Sequence, residues 1–419
     1  MEQPHRIVVG LGFGDEAKGA TVDHLCVAGG VSAVVRFSGG GQAAHNVVAG
    51  GVHHTFRQFG SGTLAGVASY LSRHVLVSPD GLAAEAEELA ALGVADPLGL
   101  VAVSPDALVV TPVHRAANRT REDLRGDARH GSCGLGIGET QWYALPVAEG
   151  GAGAGSAAIR VRDCLDPMVL RTKLVALVEF YEPLLAQGRH EAPSVREMAL
   201  DLLEFAQAVA IVPDSAYLTA AAARGSLVFE GSQGVLLDEW RGFHPHTTWS
   251  TVTPAPAQEL LAAAGLTRCE VWGATRAYAT RHGAGPFPSE AAALLGSLPE
   301  PHNGTGEYQG DWRVGHLDLV LLRYAAEVCR RHGGLDRLAV SHLDLAPAGV
   351  VDSYGPVAPG PFRDLAHQEG LTRMLASVVP VVEEYADDPA DLIARELGVP
   401  LGSVAHGPAR EDRRIVALV

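Results

Sequence analysis

The chain opens with a short run of β-branched residues, RIVVG (6–10), which ends in glycine. A glycine-rich stretch, GLGFGDEAKGAT (10–21), follows it, and GATVDHLC beyond has apolar residues at helical spacing. This order predicts a strand, a loop and a helix at the start of an α/β sheet.

Further apolar runs are predicted as strands: SAVVRFS, RHVLVS, ALVVTPV, SLVFEG, CEVWGATRAYAT and RLAVSHLDL. Long amphipathic segments between them predict helices at 80–92, 165–187, 194–210 and 317–332. Apolar strands that alternate with helices indicate an α/β fold with a mostly parallel central sheet covered by helices.

The chain shows no sharp shift in composition, so we expect a single domain over residues 1–419. Its low-complexity stretch, VAEGGAGAGSAAIRV (147–161), is rich in Gly and Ala, and we expect it to be a flexible surface segment, with a linker as the alternative.

Composition narrows the function. The formal net charge of −16 argues against a nucleic-acid backbone or an anionic membrane surface as the main partner. No apolar run approaches the roughly 20 residues that a membrane span needs, and the N-terminus lacks the pattern of a signal peptide. The five cysteines are widely spread without C-x-x-C spacing, which predicts a cytoplasmic protein without structural zinc.

The first glycine loop resembles a phosphate cradle but matches neither common form of one. The sixth position of a G-x-G-x-x-G pattern is occupied by Asp15, and Ala20 stands where a P-loop has its lysine. Gly12, Gly14 and Gly19 would let the backbone approach an anion closely, and the following helix offers free N–H groups.

The acidic residues of this loop need an explanation. Lys18 can add a positive charge, but Asp15 and Glu16 would repel a phosphate unless a divalent cation lies between, or unless one carboxylate is a base for another substrate. The alternative is a tight turn with acidic residues in the first turn of a helix.

A second glycine stretch, VVRFSGGGQAAHNVV (34–48), places Gln42 and His45 after three glycines. A histidine at this place could donate a proton to a phosphoryl oxygen. Taken alone, it is more often an ordinary loop histidine.

Together these stretches resemble the signatures of adenylosuccinate synthetases, GDEGKGK and RFxGGxNAGHT. The likeness continues in order along the chain through VLVSPDGLAAEAEEL, GSCGLGIGET, FEGSQGVLLD, HPHTTWSTVT, TRHGAGPFPSE, GHLDLVLLRYA, LAVSHLDL and AHGP. It spans nearly the whole chain, and it implies the fold of that family, which is related to the P-loop proteins.

The resemblance implies a GTP-dependent ligase that phosphorylates the 6-oxo group of inosine monophosphate and lets the amine of aspartate displace the phosphate. Asp15 would be the base that removes the N1 proton, and His45 would act on the γ-phosphoryl group. Lys18 would contact phosphate, and Gln233 would hold the 6-phosphoryl intermediate. Asp15 and the carbonyl of Ala44 would hold Mg²⁺.

The resemblance also assigns binding residues. GTP would be bound by Gly12, Gly14, Glu16, Gly19, His342, Asp344, Gly407 and Pro408. The oxo-purine and the amino donor would be bound by Ser132, Cys133, Thr248, Arg281, Asn303, Gln309 and Arg313. The expected partners are these small molecules and a second copy of the chain in a homodimer.

The chain departs from the family pattern in two loops. In GSCGLGIGE, Ser132 and Cys133 replace threonines, Leu135 replaces an arginine and Glu139 replaces a proline. The amino-donor loop, HNGTGEYQGDWRVG (302–315), retains a single arginine. Outside these two loops, His342 stands where the family has a lysine on the guanine side.

Alternative functions therefore remain open. One is a paralogue that joins aspartate or another amine to a purine analogue or a nucleoside. Another is a nucleotide-binding regulator without catalysis, and a further one is a GTP-binding switch. The set of Asp15, His45 and Gln233 weighs against the regulator, and the absent G-K-[ST] weighs against the switch. Asp15 also separates the chain from phage-type synthetases that act on deoxyguanylate, since those lack this aspartate.

Overall fold

The computed structural model describes residues 3–126, 131–300, 310–345 and 349–416. Its centre is a ten-stranded sheet in the order β18-β17-β15-β11-β1-β10-β2-β5-β7-β9. Neighbouring strands are parallel except for β17 and β18, which are antiparallel. The predicted α/β fold with a mostly parallel sheet is confirmed.

The described strands are β1 (His5–Gly10), β2 (Val31–Arg36), β3 (His45–Ala49), β4 (Val52–Phe56), β5 (Ala68–Leu71), β6 (Leu76–Val77), β7 (Val101–Val103), β8 (Leu108–Val109), β9 (Ala210–Ile211), β10 (Ser226–Gly234), β11 (Cys269–Arg276), β12 (Ala279–His282), β13 (Trp312–Gly315), β14 (Leu317–Asp318), β15 (Arg337–Ser341), β16 (Val350–Val351), β17 (Leu401–Ala405) and β18 (Arg413–Ile415).

The described helices are α1 (Lys18–Val27), α2 (Pro79–Ala91), α3 (Pro112–Arg125), α4 (Ile137–Ala144), α5 (Pro167–Leu185), α6 (Val195–Ala208), α7 (Asp214–Ala222), α8 (Ala255–Ala263), α9 (Leu319–Arg331), α10 (Leu365–Ser377) and α11 (Pro389–Leu397).

The central strands are buried on both faces. In β1, Ile7 and Val9 join a large core with α7, α8, α9 and α11, whereas Val8 packs on the opposite face with Val22 and Leu25 of α1. This alternation follows from the two-residue period of a strand, and it explains why the run RIVVG is apolar throughout. Helices α2, α3, α5 and α6 enclose a further core beside the β5–β7 end of the sheet.

Two of the predicted strands lie outside the main sheet. RHVLVS and ALVVTPV contribute only β6 and β8, which pair with each other, and α3 already begins at Pro112. Instead, β5 pairs with β2 and β7 pairs with β5, and neither of these strands was predicted. The other predicted strands and all the predicted helices are found near their expected bounds.

The segment 147–161 is partly built into the protein. The backbone N–H of Val109 donates to the carbonyl of Ile159, and Ala158, Ile159 and Val161 are buried. The interpretation as a surface segment is therefore wrong for Ala158, Ile159 and Val161, because their small and aliphatic side chains complete the core beside β8.

Two further observations concern the cysteines and the described helices. All five cysteines are free thiols. None of the described helices combines the length and the apolar character that crossing a bilayer requires.

Asp318 gives the fold a measurable pH dependence. It is buried, it caps α9 by accepting from the N–H of Leu321 at 2.9 Å, and it accepts from Tyr354 Oη. Burial raises the pKa of Asp318 to about 6 from an ordinary 3.8, despite these hydrogen bonds. A raised pKa means that the folded state binds this proton more tightly than the unfolded state does. The resulting stability is therefore present below about pH 4 and is lost as the pH rises through 6.

We therefore expect the stability of the wild type relative to Asp318→Asn to fall by about 2 kcal/mol between pH 4 and pH 7. Urea denaturation across this range measures the difference. Asp388→Asn, at the exposed cap of α11, is the control and should show a much flatter difference. An equally flat difference for Asp318→Asn would contradict the prediction.

Candidate active site

The predicted site residues follow the carboxyl ends of neighbouring parallel strands. The loop 10–19 follows β1, Gln233 is the next-to-last residue of β10, and His45 follows β2. On the other side of β1, the loops after β15 and β17 carry the residues expected to bind the guanine base. The sheet order therefore gathers residues that are distant in sequence at one edge, as is usual for ligand sites of parallel sheets.

The first glycine loop is filled by its own glutamate. Glu16 is buried, and its carboxylate accepts from the N–H of Gly14 at 2.6 Å and from Lys18 Nζ at 2.9 Å. A Cβ atom added to Gly10, Gly12 or Gly234 would lie 2.1, 2.7 or 2.6 Å from an oxygen of this carboxylate. Glycine is therefore needed here because the carboxylate approaches the backbone closely.

Asp15 and Ala17 both have left-handed backbone conformations, with φ of 63° and 57°. Such a φ is unfavourable for a residue with a Cβ atom. The Asp15 carbonyl accepts a hydrogen bond from Arg276 Nε. No described residue donates a hydrogen bond to its carboxyl oxygens, so they are open to a ligand. Burial raises the pKa of Asp15, and Arg276 is the strongest opposing charge.

Lys18 and Gly19 begin α1 directly beside His45. A Cβ atom on Gly19 would lie 2.7 Å from His45 Cβ and 3.0 Å from Ser61 Oγ. The glycine therefore lets the helix start approach the histidine. This contact places the Lys18 ammonium and the His45 imidazole in adjacent elements, although 26 positions separate them in sequence.

His45 is held between two acceptors. Its Nδ1 lies 2.6 Å from Glu230 Oε1, and its Nε2 lies 3.0 Å from the carbonyl oxygen of Ser232. Burial lowers the pKa of His45, and Glu230 opposes this effect. Both acceptors are satisfied only when both ring nitrogens carry protons. Nε2 then donates to an uncharged oxygen, a position that a phosphoryl oxygen could take.

Glu230 is fully buried on β10. Ser61 donates to it through Oγ at 2.5 Å and through its backbone N–H at 3.0 Å. Burial would raise the pKa of Glu230, but Arg36 and His45 hold that pKa at about 2. The group is therefore a carboxylate. It was not among the predicted site residues, although an acidic residue inside the apolar run SLVFEG was a signal for it.

Two amide side chains near this pair have unsatisfied groups. Gln233 Nε2 is buried without a hydrogen-bond partner. Gln42 Oε1 and Nε2 are also buried without a partner. The Gln233 Oε1 atom accepts from Ser232 Oγ at 2.6 Å. Buried polar groups are normally paired, so these atoms indicate a position for a polar ligand between the loops after β2 and β10.

The protein groups at this edge could bind a cation such as Mg²⁺ only if a bound substrate supplied further oxygen ligands. Among the described residues, no three His, Cys, Asp or Glu side chains are grouped to hold a metal ion. Asp15 offers an open carboxylate, and Ala44 lies on the exposed part of the loop before His45. Mg²⁺ commonly takes one or two carboxylates together with substrate phosphates, so these residues fit that ion.

The predicted substrate loops lie against the second glycine stretch. A Cβ atom on Gly40 would lie 2.8 Å from Ile137 Cδ1, and one on Gly138 would lie 3.3 Å from the Trp249 ring. This brings the loop 131–140 and the loop around Thr248 together. Three of the predicted substrate residues lie in these two loops: Ser132, Cys133 and Thr248.

Two of these three residues have a hydrogen bond within the protein, and the third is a thiol. Ser132 Oγ accepts from Asn118 Nδ2 at 2.9 Å, and the N–H of Thr248 donates to the Leu237 carbonyl at 2.8 Å. Burial raises the pKa of the Cys133 thiol.

Both described arginines that were expected to bind substrate are engaged by the protein. Arg281 is buried and donates to the carbonyls of Ala284 and Pro286 at 3.0 Å each. Burial lowers the pKa of Arg281 to about 9. Arg313 donates to Glu290 through Nε and Nη2, and to the carbonyls of Gly283 and Gly285 through Nη1. Binding a substrate would require these bonds to be exchanged.

Asn303 and Gln309 lie outside the described residues. Arg276 was also not among the predicted site residues, yet it contacts the backbone of Asp15. Its position in GATRAY gave no signal for this contact, which joins positions 261 apart in sequence.

The residues expected to bind guanine lie after neighbouring strands. His342 has φ of 59°, its Nδ1 lies 3.0 Å from Ser341 Oγ, and its ring meets the Tyr278 ring edge-on at 5.7 Å. Burial lowers the pKa of His342 to about 2, so the ring is neutral. Asp344 is exposed.

The loop after β17 lies beside them. The Leu343 N–H donates to the Ala405 carbonyl at 3.2 Å, and this bond joins the two loops. Gly407 lies against Asp412, because a Cβ atom at this position would approach its carboxylate to 2.3 Å, and Pro408 is exposed.

The Glu16–Lys18 pair should contribute strongly to stability, because both groups are buried. Glu16→Gln would keep an acceptor for the Gly14 N–H but would leave the Lys18 ammonium without its counter-charge. We expect a loss of about 3 kcal/mol in the free energy of unfolding, measured by urea denaturation. The exposed pair of Arg57 and Glu88 provides the control. Glu88→Gln should lose less than about 1 kcal/mol, and equal losses in the two variants would refute the prediction.

Comparisons with known proteins identify the family of the chain. The family model for adenylosuccinate synthetase matches residues 7–349. Adenylosuccinate synthetase 1 of Chromobacterium violaceum is 33% identical over 433 residues, which cover 97% of this chain and 96% of that protein. The adenylosuccinate synthetase of Neisseria meningitidis is 34% identical over 349 residues, which cover 81% of this chain and 77% of that protein.

Two solved structures share the fold. Fully ligated adenylosuccinate synthetase from Plasmodium falciparum matches with a TM-score of 0.80 at 18% identity, over 99% of this chain and 100% of that chain. The succinoaminodeoxyadenylate synthetase of cyanophage S-2L, bound to dGMP and dATP, matches with a TM-score of 0.59 at 18% identity, over 99% and 96%. Because the family model and the curated relatives cover most of the sequence, this chain belongs to the adenylosuccinate synthetase family of GTP-dependent, C–N bond-forming ligases.

Proposed function

We propose that this ligase uses GTP to phosphorylate the 6-oxo group of a purine nucleotide resembling inosine monophosphate, and then joins the amine of L-aspartate at that carbon. The product is of the adenylosuccinate type. The observation that carries the proposal is the open, half-buried carboxyl of Asp15 in a loop that also holds Lys18 and lies against the His45–Glu230 pair.

The first step needs a base. The oxo group of a purine lactam becomes a nucleophile when N1 loses its proton, and Asp15 would accept that proton. The 6-oxygen then forms a bond to the γ-phosphorus of GTP, and the bond from this phosphorus to the β-phosphate oxygen breaks, releasing GDP. Burial favours a proton on Asp15 after the transfer.

Positive charge and hydrogen-bond donors are needed where negative charge develops. Lys18 Nζ and His45 Nε2–H would approach the transferred phosphoryl group, with Glu230 holding the imidazole from behind. Gln233 Nε2 is free to donate to the 6-phosphoryl oxygens. In the second step the amine nitrogen bonds to C6 and inorganic phosphate leaves.

Asp15 and the carbonyl of Ala44 would hold Mg²⁺, which when bound would neutralise charge on the phosphate oxygens of GTP. His342, Asp344, Gly407 and Pro408 would bind the guanine, with Asp344 accepting from its N1 and N2 hydrogens. Gly12, Gly14, Glu16 and Gly19 would shape the loop around the phosphates. The family relation favours a homodimer.

A second candidate is supported by the substrate loops. Leu135 stands where the family pattern has an arginine, and Arg313 is engaged by Glu290. Ser132, Cys133 and Thr248 would still face the oxo-purine. These features favour a paralogue that joins aspartate or another amine to a purine analogue or a nucleoside. Phosphate release from GTP distinguishes the two candidate functions. It is measured with inosine monophosphate, inosine and analogues, each with and without aspartate.

Asp15→Asn should lower kcat for phosphate release about 10²–10⁴-fold, because asparagine cannot accept the N1 proton. Binding of GTP, measured by calorimetry, should persist. The control is Asp387→Asn, which removes an exposed carboxylate paired with Arg395 and should leave kcat unchanged. Normal turnover in Asp15→Asn would exclude Asp15 as the base. GTP binding without turnover for any substrate in the wild type would instead support a non-catalytic regulator.

Glu230→Gln should lower kcat about 10²-fold with little change in KM, because His45 Nδ1 loses the carboxylate that orients the ring. The matched control is Glu122→Gln, which removes another fully buried carboxylate, paired with Arg125 on α3. Both variants should lose stability in thermal denaturation, but only Glu230→Gln should lose kcat. A similar kcat in the two variants would show that Glu230 is merely structural.

A further inference from the structure

One asparagine on α3 holds the loop 131–140 at two points. Asn118 Nδ2 donates to Ser132 Oγ at 2.9 Å, and the N–H of Gly136 donates to Asn118 Oδ1 at 3.1 Å. A Cβ atom on Gly136 would lie 2.7 Å from the backbone nitrogen of Arg115, so the loop lies directly on the helix. Asn118 is only 9% exposed. Both ends of its side-chain amide are therefore bonded to the loop away from bulk water.

The backbone of the loop determines which end of the Asn118 amide faces Ser132. A backbone N–H can only donate, so the atom that faces Gly136 must be the amide oxygen. Turning the amide by 180° would place two donors against each other. Because an amide nitrogen does not accept hydrogen bonds, the Ser132 hydroxyl can only accept from Asn118.

The hydrogen of the Ser132 hydroxyl is therefore directed away from α3. Ser132 is half-buried, and none of the described residues accepts this hydrogen. The loop leads into α4, whose first residues lie against Gly40 and Trp249 of the neighbouring loops. The hydrogen is thus available to a ligand that lies between these loops.

We propose that Asn118 is a positioning residue, which orients the Ser132 hydroxyl as a hydrogen-bond donor towards an accepting oxygen of the oxo-purine substrate. The inference rests on the proposed function in taking the loop 131–140 as part of the oxo-purine site. A phosphate oxygen and a sugar oxygen both have the required chemistry, and binding measurements distinguish them.

Asn118→Asp tests the orientation with almost no change in shape. The carboxylate would still accept from the Gly136 N–H, but its second oxygen would also accept, so the Ser132 hydrogen would turn towards α3. The KM for inosine monophosphate should then rise about tenfold, as expected for one lost hydrogen bond. The value of kcat and the KM for GTP should change little, because the lost contact is one of substrate binding. An unchanged KM for inosine monophosphate would overturn the proposal.

Calorimetry with inosine monophosphate and with inosine locates the accepting oxygen. Weaker binding of inosine monophosphate alone in Asn118→Asp would place the acceptor on the phosphate. Weaker binding of both would place it on the nucleoside that they share, and unchanged binding of both would overturn the proposal.

Asn118→Asp also introduces a negative charge, and Ser132→Ala separates this effect from the orientation of the hydroxyl. Ser132→Ala should itself raise the KM for inosine monophosphate about tenfold. Adding Asn118→Asp to Ser132→Ala should raise it by less than about twofold further, because the two residues act through one contact. An equal rise in both backgrounds would indicate repulsion by the new charge and would overturn the proposal.

Gln187→Glu is the matched control for charge. Gln187 is exposed, and the next residue, Gly188, lies against Thr120 of α3, because a Cβ atom there would be 2.7 Å from that side chain. The variant adds a carboxylate beside the same helix and should leave the KM for inosine monophosphate unchanged. A rise equal to that in Asn118→Asp would contradict the proposed orientation.

NMR without substrate tests the contact independently of the proposed function. The chain has three asparagines, Asn46, Asn118 and Asn303, so ¹⁵N labelling of asparagine side chains gives three amide pairs. The pair that is missing in Asn118→Asp, or in Asn118→Ser if the former does not fold, belongs to Asn118. Ser132→Ala should move this pair and leave the other two in place, and an unmoved Asn118 pair would overturn the inference. A wild type that releases no phosphate with inosine monophosphate and aspartate would refute the proposed function, whereas a moved Asn118 pair would still support the orientation of Ser132.

Discussion

The negative charge of Glu16, buried among backbone atoms, determines the shape of the catalytic edge. The carboxylate is held by the Gly14 N–H and the Lys18 ammonium. Because it lies so close to the backbone, a side chain at any of three neighbouring glycines would displace it from this position. The glycine pattern of this loop therefore serves an internal anion, which explains why it matches neither common phosphate loop. With Glu16 paired to Lys18, Asp15 is the acidic residue of the loop whose carboxyl oxygens remain open.

The sequence predicted the central part of this arrangement because the governing signals are local. The run RIVVG, the glycines after it and the helical spacing beyond were sufficient to locate β1, its loop and α1. Parallel strands then place all their carboxyl ends at one edge, so the loops after β1, β2 and β10 had to meet. The peripheral strands were less predictable. β5 and β7 are short, and their place beside β2 depends on long-range pairing that no local pattern encodes.

The partners of the site residues were less accessible to sequence reasoning than the residues themselves. His45 and Glu230 are 185 positions apart, and Asp15 and Arg276 are 261 apart. Each second member lies in an apolar strand, where a charged residue signals a buried partner but not its identity. The partner of Arg313 was likewise not evident from the sequence. The family resemblance assigned this residue to substrate binding, which stays a prediction, and its guanidinium donates to Glu290.

This difference locates the departure of the chain from its family. The groups proposed for phosphoryl transfer form a contiguous set, since Lys18 and Gly19 lie against His45, which is held by Glu230. On the amino-donor side, a dicarboxylate would have to compete with Glu290 for Arg313. A donor with fewer carboxylates would avoid this competition. On the oxo-purine side, Leu135 leaves the loop 131–140 without the cation of the family pattern. A change of substrate is therefore expected in these two loops, whereas the phosphorylation step imposes the same requirements on Asp15 and His45 for every oxo-purine.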